Sequence, residues 1–206
     1  VTGVQTCALP IYDSLLGEAG ADTISGEAGN DTIDGGSEND SLLGGDGNDS
    51  MAGGTGNDEI YGDAGNDSVD GGDGADSLQD SEGNNTARGG AGNDTIYGAG
   101  LIDGGADNDS LYYYGLGYYI YSNVAPTVYG GAGNDVIAEW YNANFNGILL
   151  DGGDGNHTIS GSAYGDSILG GTGDDSITAN GGNDTIDGGD GANIARYRGK
   201  IGRAHV

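Results

Sequence analysis

Asp13, Asp22, Asp31, Asp40, Asp49, Asp58, Asp67 and Asp76 stand nine residues apart, Asn85 holds the next position in phase, and Asp94 follows. Carboxylates are hard oxygen donors, and between its two ends this chain offers no cysteine and a single histidine, His157, to compete with them. A hard divalent cation suits such a row. Calcium takes 6–8 oxygen ligands and accepts carboxylates and backbone carbonyls alike. Catalytic chemistry is not supported: no HExxH, GxSxG or GxxxxGK stretch occurs. Stacked acids at a fixed period are accounted for by metal binding, so the segment is read as carrying no catalytic residue and as no enzyme by itself.

The elements that must position these aspartates are written in the same period. Two residues after each acid comes an apolar one, among them Leu15, Ile24, Ile33, Leu42, Met51, Ile60, Val69, Leu78, Ala87 and Ile96. Ser or Thr stands between in nearly every copy. Two registers kept together over ten copies mark a structural repeat. Each copy divides into a six-residue glycine loop and a three-residue strand, such as Thr32-Ile33-Asp34, whose central side chain turns inward. Two loops and two strands make one coil of 18 residues, so successive aspartates fall on alternate flanks.

Flank A is then expected to carry Asp22, Asp40, Asp58, Asp76, Asp94, Asp109, Asp135, His157, Asp175 and Asn193. Flank B carries Asp13, Asp31, Asp49, Asp67 and Asn85, breaks off, and resumes at Asp166 and Asp184. The break follows from the spacing, which lengthens to 15 at Asp109, 26 at Asp135 and 22 at His157 before nine returns. Each long interval still ends in strand and loop, as "LIDGGADND", "TVYGGAGND" and "LLDGGDGNH" show. Each is therefore read as a whole coil whose flank B loop has become a variable turn.

Composition bounds the partners. Formal charge is −28, and residues 12–199 hold only Arg88, Arg196 and Arg198 against 33 acidic residues. Nucleic acid needs a basic footprint and is excluded as a partner. No apolar run reaches the roughly 18 residues of a membrane helix, so no membrane span is expected. Such acidity with 47 glycines would ordinarily indicate disorder, which the periodicity overrides. One inward aliphatic per repeat makes a thin core, and stacked carboxylates repel one another. A cation between the coils answers both problems.

The two ends are of a different kind. "QTCALPI" is encoded by CAG ACG TGT GCT CTT CCG ATC, and the reverse complement of that run, read one base on, encodes the closing "IGRAHV". Residues 1–11 and 200–206 are accordingly read as adapter-derived and set aside. What remains is expected to be an internal piece of a longer chain, with a regular roll over 12–99, irregular Tyr-rich coils of the same solenoid over 100–157, and a regular roll again over 158–199.

Close copies such as "GGDGNDSMA" (44–52), "GGTGNDEIY" (53–61), "GGAGNDTIY" (89–97) and "GGTGDDSIT" (170–178) resemble the RTX, or haemolysin-type, calcium-binding nonapeptide repeat. The resemblance implies an all-β fold, a right-handed parallel β-roll, with calcium ions held between loops of successive coils on one side. It implies metal ligands at Asp22, Asp31, Asp40, Asp49, Asp58, Asp67, Asp76, Asp94, Asp109, Asp135, Asp166, Asp175 and Asp184. It also implies an extracellular protein, secreted or at the cell surface, exported by a type I system and folding on external calcium. A structural spacer of a cell-surface adhesin and an ice-binding β-roll are the alternatives. The irregular third loop position (Ala28, Ser37, Asp46, Thr55, Ala64) counts against ice binding.

Two departures are singled out. His157 replaces an aspartate and is read as a weakened site, since imidazole suits softer metals. Tyr112, Tyr113, Tyr114, Tyr118, Tyr119, Tyr121, Trp140, Tyr141 and Phe145 crowd the middle. They are read as strand-face residues, with a protein or glycan surface as the alternative.

Overall fold

A computed structural model describes residues 3–6, 12–114, 125–141, 147–198 and 201–205; these form strands and turns, with no helix among them. The repeat dictates the pairing. Each strand lies parallel to the strand before last, because the chain must cross to the other side of the roll and return before it meets itself. Thr23–Ala28 pairs with Ser41–Asp46, which pairs with Glu59–Ala64, setting Ile24, Leu42 and Ile60 in one row. Thr32–Ser37 pairs with Ser50–Thr55, which pairs with Ser68–Asp73, setting Ile33, Met51 and Val69 in the opposite row. The result is a parallel β-solenoid whose core is two facing rows of aliphatic side chains.

The rows are dry. Ile24, Ile33, Leu42, Met51, Ile60, Val69, Leu78, Ala87 and Ile96 are all buried, and Ile102, Leu111, Val128, Ile137, Leu150, Ile159, Ile168, Ile177 and Ile186 continue them. Leu15, in the first regular coil, is only partly buried against this core.

Strands are longer than the sequence suggests. The expected three residues become six, because the first half of the glycine loop stays in the ladder: Gly36 pairs with Gly54 and Ser37 with Thr55. Only about half of each loop is left to turn the chain. Glycine is demanded there by close approach as well as by conformation. Gly47 has φ +147°, and a Cβ on it would overlap the carbonyl oxygen of Gly29 in the coil below.

The long intervals are single coils, as their spacing indicates. Thr95 pairs with Ser110 after 15 residues, Ser110 with Val136 after 26, and Val136 with Thr158 after 22. In the first of them flank B shrinks to a shift of register between Gly98 and Gly100 within the strand Thr95–Ala106, with Ala99 buried. The corresponding turns of the next two lie in 115–124 and 142–146, outside the described residues. Tyr118, Tyr119, Tyr121 and Phe145 lie there too.

Tyr113 is core. Its ring is fully buried, and its hydroxyl donates to the Ser160 carbonyl at 2.9 Å. It stands where other coils place the first loop glycine, so aromatic bulk fills flank B where the glycine loop is gone. Tyr97 and Tyr112 stack on the outer face, with ring centroids 4.8 Å apart.

The segments set aside on sequence grounds are paired. Val4–Thr6 lies against Thr23–Ala28, and Ile201–His205 against Asp184–Asp187. An open parallel edge accepts any extended backbone, so this pairing is independent of where the segments come from.

The core rows can be tested at Ile60, buried between Leu42 and Leu78. Ile60→Val should cost about 0.5–1.5 kcal/mol, whereas Ile60→Asp places an unpaired charge in the dry row at a cost of several kcal/mol. Denaturant unfolding in saturating calcium should leave the first variant folded and the second without a cooperative transition.

Candidate metal-binding flanks

Each candidate aspartate closes its loop and immediately precedes a strand or, at Asp184, begins one. Its backbone carbonyl is therefore drawn into the ladder, as when Ser77 N–H donates to the Asp58 carbonyl at 2.8 Å. Its side chain reaches back one coil. Asp40 N–H donates to Asp58 Oδ1 at 2.8 Å, and Asp58 N–H to Asp76 Oδ1 at the same distance. One carboxylate oxygen is thus committed to the backbone. The other is not: Oδ2 of Asp22, Asp31, Asp40, Asp49, Asp58, Asp67, Asp76, Asp94, Asp109, Asp135 and Asp175 is buried with no hydrogen-bond partner.

These bonds trace the two flanks. On flank A the chain of contacts runs Asp22, Asp40, Asp58, Asp76, Asp94, Asp109, Asp135, His157, Asp175, Asn193 without a gap. On flank B it runs Asp13, Asp31, Asp49, Asp67, Asn85, stops, and reappears between Asp166 and Asp184. Asp49 and Asp58, nine residues apart, lie on opposite sides. The structure thus brings the sequence-derived residues together in the grouping that their spacing predicts.

A second column was not anticipated. The residue before the aspartate is Asn in most loops, and its side-chain oxygen accepts the N–H of its counterpart one coil on. Asn48 donates to Asn30 Oδ1 at 2.9 Å, Asn57 to Asn39 at 2.9 Å, and Asn134 to Asn108 at 2.7 Å. Its sense is opposite to the aspartate column, so adjoining loops clasp each other reciprocally. The "ND" dipeptide signals this in the sequence, read for both letters.

Burial raises several of the carboxyl groups. Desolvation lifts Asp58 above the ordinary carboxylate range, opposed by the Asp40 N–H bond. It lifts Asp67 and Asp76 to about 6, with neighbouring carboxylates adding. It carries Asp94 and Asp109 to about 7.

Three positions depart from the pattern. Asp166 Oδ2 accepts from the Ser162 amide at 2.7 Å and hydroxyl at 3.0 Å, and its Oδ1 lies 3.1 Å from the same hydroxyl, so both its oxygens already have a protein partner. His157 Nδ1 lies 3.3 Å from Asp135 Oδ2 and its Nε2 has no partner. Burial pulls its pKa down, but the neighbouring Asp135 carboxylate prevails and raises it. At Asn85 the carboxylate is lost, while Asp80, absent from the sequence-derived set, is buried in the same loop.

Among the described residues, no three carboxylate or imidazole groups converge on one point. A cation here must draw much of its shell from backbone carbonyls, which the glycine loops leave bare. The orphaned Oδ2 atoms and this all-oxygen donor set fit calcium, which is hard and tolerant of irregular geometry.

The family model for the RTX calcium-binding nonapeptide repeat, in four copies, matches residues 13–42, 43–78, 70–100, 127–138 and 160–195. No curated protein matches the chain. The family matches span most of the two aspartate columns, and on both grounds the chain belongs to the RTX calcium-binding nonapeptide repeat family, as a calcium-binding repeat module with the β-roll fold.

Proposed function

We propose that residues 12–199 are a calcium-responsive folding module of a larger exported protein, unfolded at low internal calcium and folding outside the cell. The observation that carries this reading is the column of buried, unpartnered Oδ2 atoms, one in most loops. An unpaired buried charge is costly, and these recur along both flanks. A cation shared between adjoining loops removes that cost at each step and neutralises part of a formal charge of −28. Extracellular calcium modules work at Kd values of roughly 10⁻⁴–10⁻³ M, which keeps them empty inside cells. Folding and binding are then one equilibrium. A chain that stays unfolded until it is outside suits export by a type I route.

On this reading Asp22, Asp31, Asp40, Asp49, Asp58, Asp67, Asp76, Asp94, Asp109, Asp135 and Asp175 each direct one oxygen to a cation and one to the backbone. Asp166 and Asp184 form the weakest pair, because Ser162 competes for the first. The ions stabilise a scaffold and take no part in a reaction.

In chelator the chain should lack β-structure, and it should gain it cooperatively as calcium reaches millimolar levels. Magnesium should substitute poorly, since it demands a tighter octahedral shell. Far-ultraviolet circular dichroism is the measurement, and a spectrum indifferent to calcium would refute the module.

Acid should partly replace the metal. Asp67, Asp76, Asp94 and Asp109 have folded-state pKa values of about 6 to 7, above the roughly 3.9 of an unfolded aspartate. Their contribution to stability is therefore full below about pH 4 and is lost as pH rises through about 7. Chelated protein taken from pH 8 to pH 5 should gain β-structure, and acidification with no such gain would contradict the electrostatic account.

Asp58 separates the two duties of one carboxylate. Asp58→Asn keeps an acceptor for the Asp40 N–H but removes the charge, so it should weaken calcium binding on flank A and spare the Asp49 and Asp67 sites. Asp58→Ala should do the same and in addition orphan the Asp40 N–H, costing a further 1–3 kcal/mol or so. Calorimetric calcium titration with denaturant unfolding of both variants reads the difference.

A further inference from the structure

The first loop position on flank B changes character along the roll: Gly26, Gly44, Gly62, Asp80, Gly98, Tyr113. At Gly26 and Gly44 glycine is required by the loop's own aspartate. A Cβ on Gly44 would lie 2.5 Å from Asp49 Oδ2 and 2.8 Å from the Gly62 carbonyl oxygen. In that loop a side chain at the start would collide with the carboxylate at the end. Residues 80 and 85 exchange both together: Asp80 stands where glycine is expected and Asn85 where the aspartate is expected.

Asp80 is 1% exposed, and its Oδ2 has no partner. Its Oδ1 accepts from Asn85 Nδ2, while Asn85 Oδ1 accepts the Asp67 N–H at 3.0 Å, which fixes the amide orientation. Asn85 therefore keeps the structural half of the aspartate's duty and presents N–H, not oxygen, on the other side. The Asp80 carboxylate packs beneath Gly62, where an added Cβ would lie 2.5–2.8 Å from its Cγ and both oxygens. In the preceding coil that place is held by the Gly62 carbonyl facing Gly44. Asp80 thus puts a carboxylate between the loops 62–67 and 80–85. Asp67 Oδ2, in the first of these, is also without a partner. Burial and the charges of Asp67, Asp63 and Asp49 push the Asp80 carboxyl up to about 8, a cost that a cation would remove.

We propose that Asp80 is a calcium ligand outside the repeat's aspartate position, supplying from the glycine position the carboxylate that Asn85 lacks, to an ion shared with Asp67 of the preceding coil. Flank B thereby keeps its cation up to its last full loop, the one before the chain shortens at Gly98 to Gly100. The inference rests on the calcium reading of the flanks and adds one ligand to it.

The competing occupant of the same oxygen is a proton, and Asp80→Asn imitates the protonated acid. Calcium stoichiometry of the whole chain, measured by equilibrium dialysis at pH 7.5 with circular dichroism as the check on folding, distinguishes the two. Asp80→Asn and Asp80→Gly should each bind about one ion fewer per chain than the parent. The double variant Asp80→Gly, Asn85→Asp rebuilds the ordinary loop and should recover that ion. Parent stoichiometry in Asp80→Asn and in Asp80→Gly would overturn the proposal while leaving the calcium module intact. A parent that binds no calcium would overturn both. If Asp80→Gly does not fold, the comparison of Asp80→Asn with the double variant decides by the same criterion.

Discussion

Most coils of this protein are fastened to the next by a carboxylate that gives one oxygen to the backbone and keeps the other buried without a protein partner. Oδ1 takes the aspartate N–H of the preceding coil, and Oδ2 is left inside with nothing in the protein to satisfy it. The first bond sets the coil spacing and the second creates the demand for metal. Neither works without the other. If the backbone bond did not hold the carboxylate inside, the side chain would swing out to water. If no cation met Oδ2, the same bond would hold a buried charge in place at a standing cost.

The glycines follow from that constraint. They clear the space that the carboxylate occupies. Where the constraint lapses, so does the glycine. On flank B beyond Asn85 the column is replaced by Tyr113 packed into the core and by Asp166 bonded to Ser162. Those coils satisfy their interiors with apolar surface or protein hydrogen bonds. Flank A, with its aspartates nearly unbroken, keeps the demand for ions along its length.

Spacing alone made the flanks legible, because a period of nine in a coil of two repeats leaves no freedom in which aspartates meet. The buried row was equally plain, from Ile24 to Ile96, since one inward residue per strand is all that the alternation permits. Single positions were not legible. Asp80 looks like one more acid in an acidic chain until the geometry shows it standing in the glycine column beside Asn85. Ser162 carries no pattern, and its bond to Asp166 depends on a turn that the repeat does not specify. The asparagine column was visible as letters, but its role needed the direction of the hydrogen bonds. The extension of the strands through Gly36 and Gly54 was hidden because glycine is a poor strand former, and here only the neighbouring coil keeps it extended.

Coils of 15, 18, 22 and 26 residues share one unbroken flank A. All of that difference in length is absorbed on the other side. The solenoid therefore has a spine and an outboard edge. Chain added at the edge leaves the spacing along the spine unchanged, so new segments can be accommodated there one coil at a time, without re-registering the coils before or after. That makes the edge the natural place for diversification and the side on which a foreign loop would be displayed at least expense to the hydrogen-bonded spine.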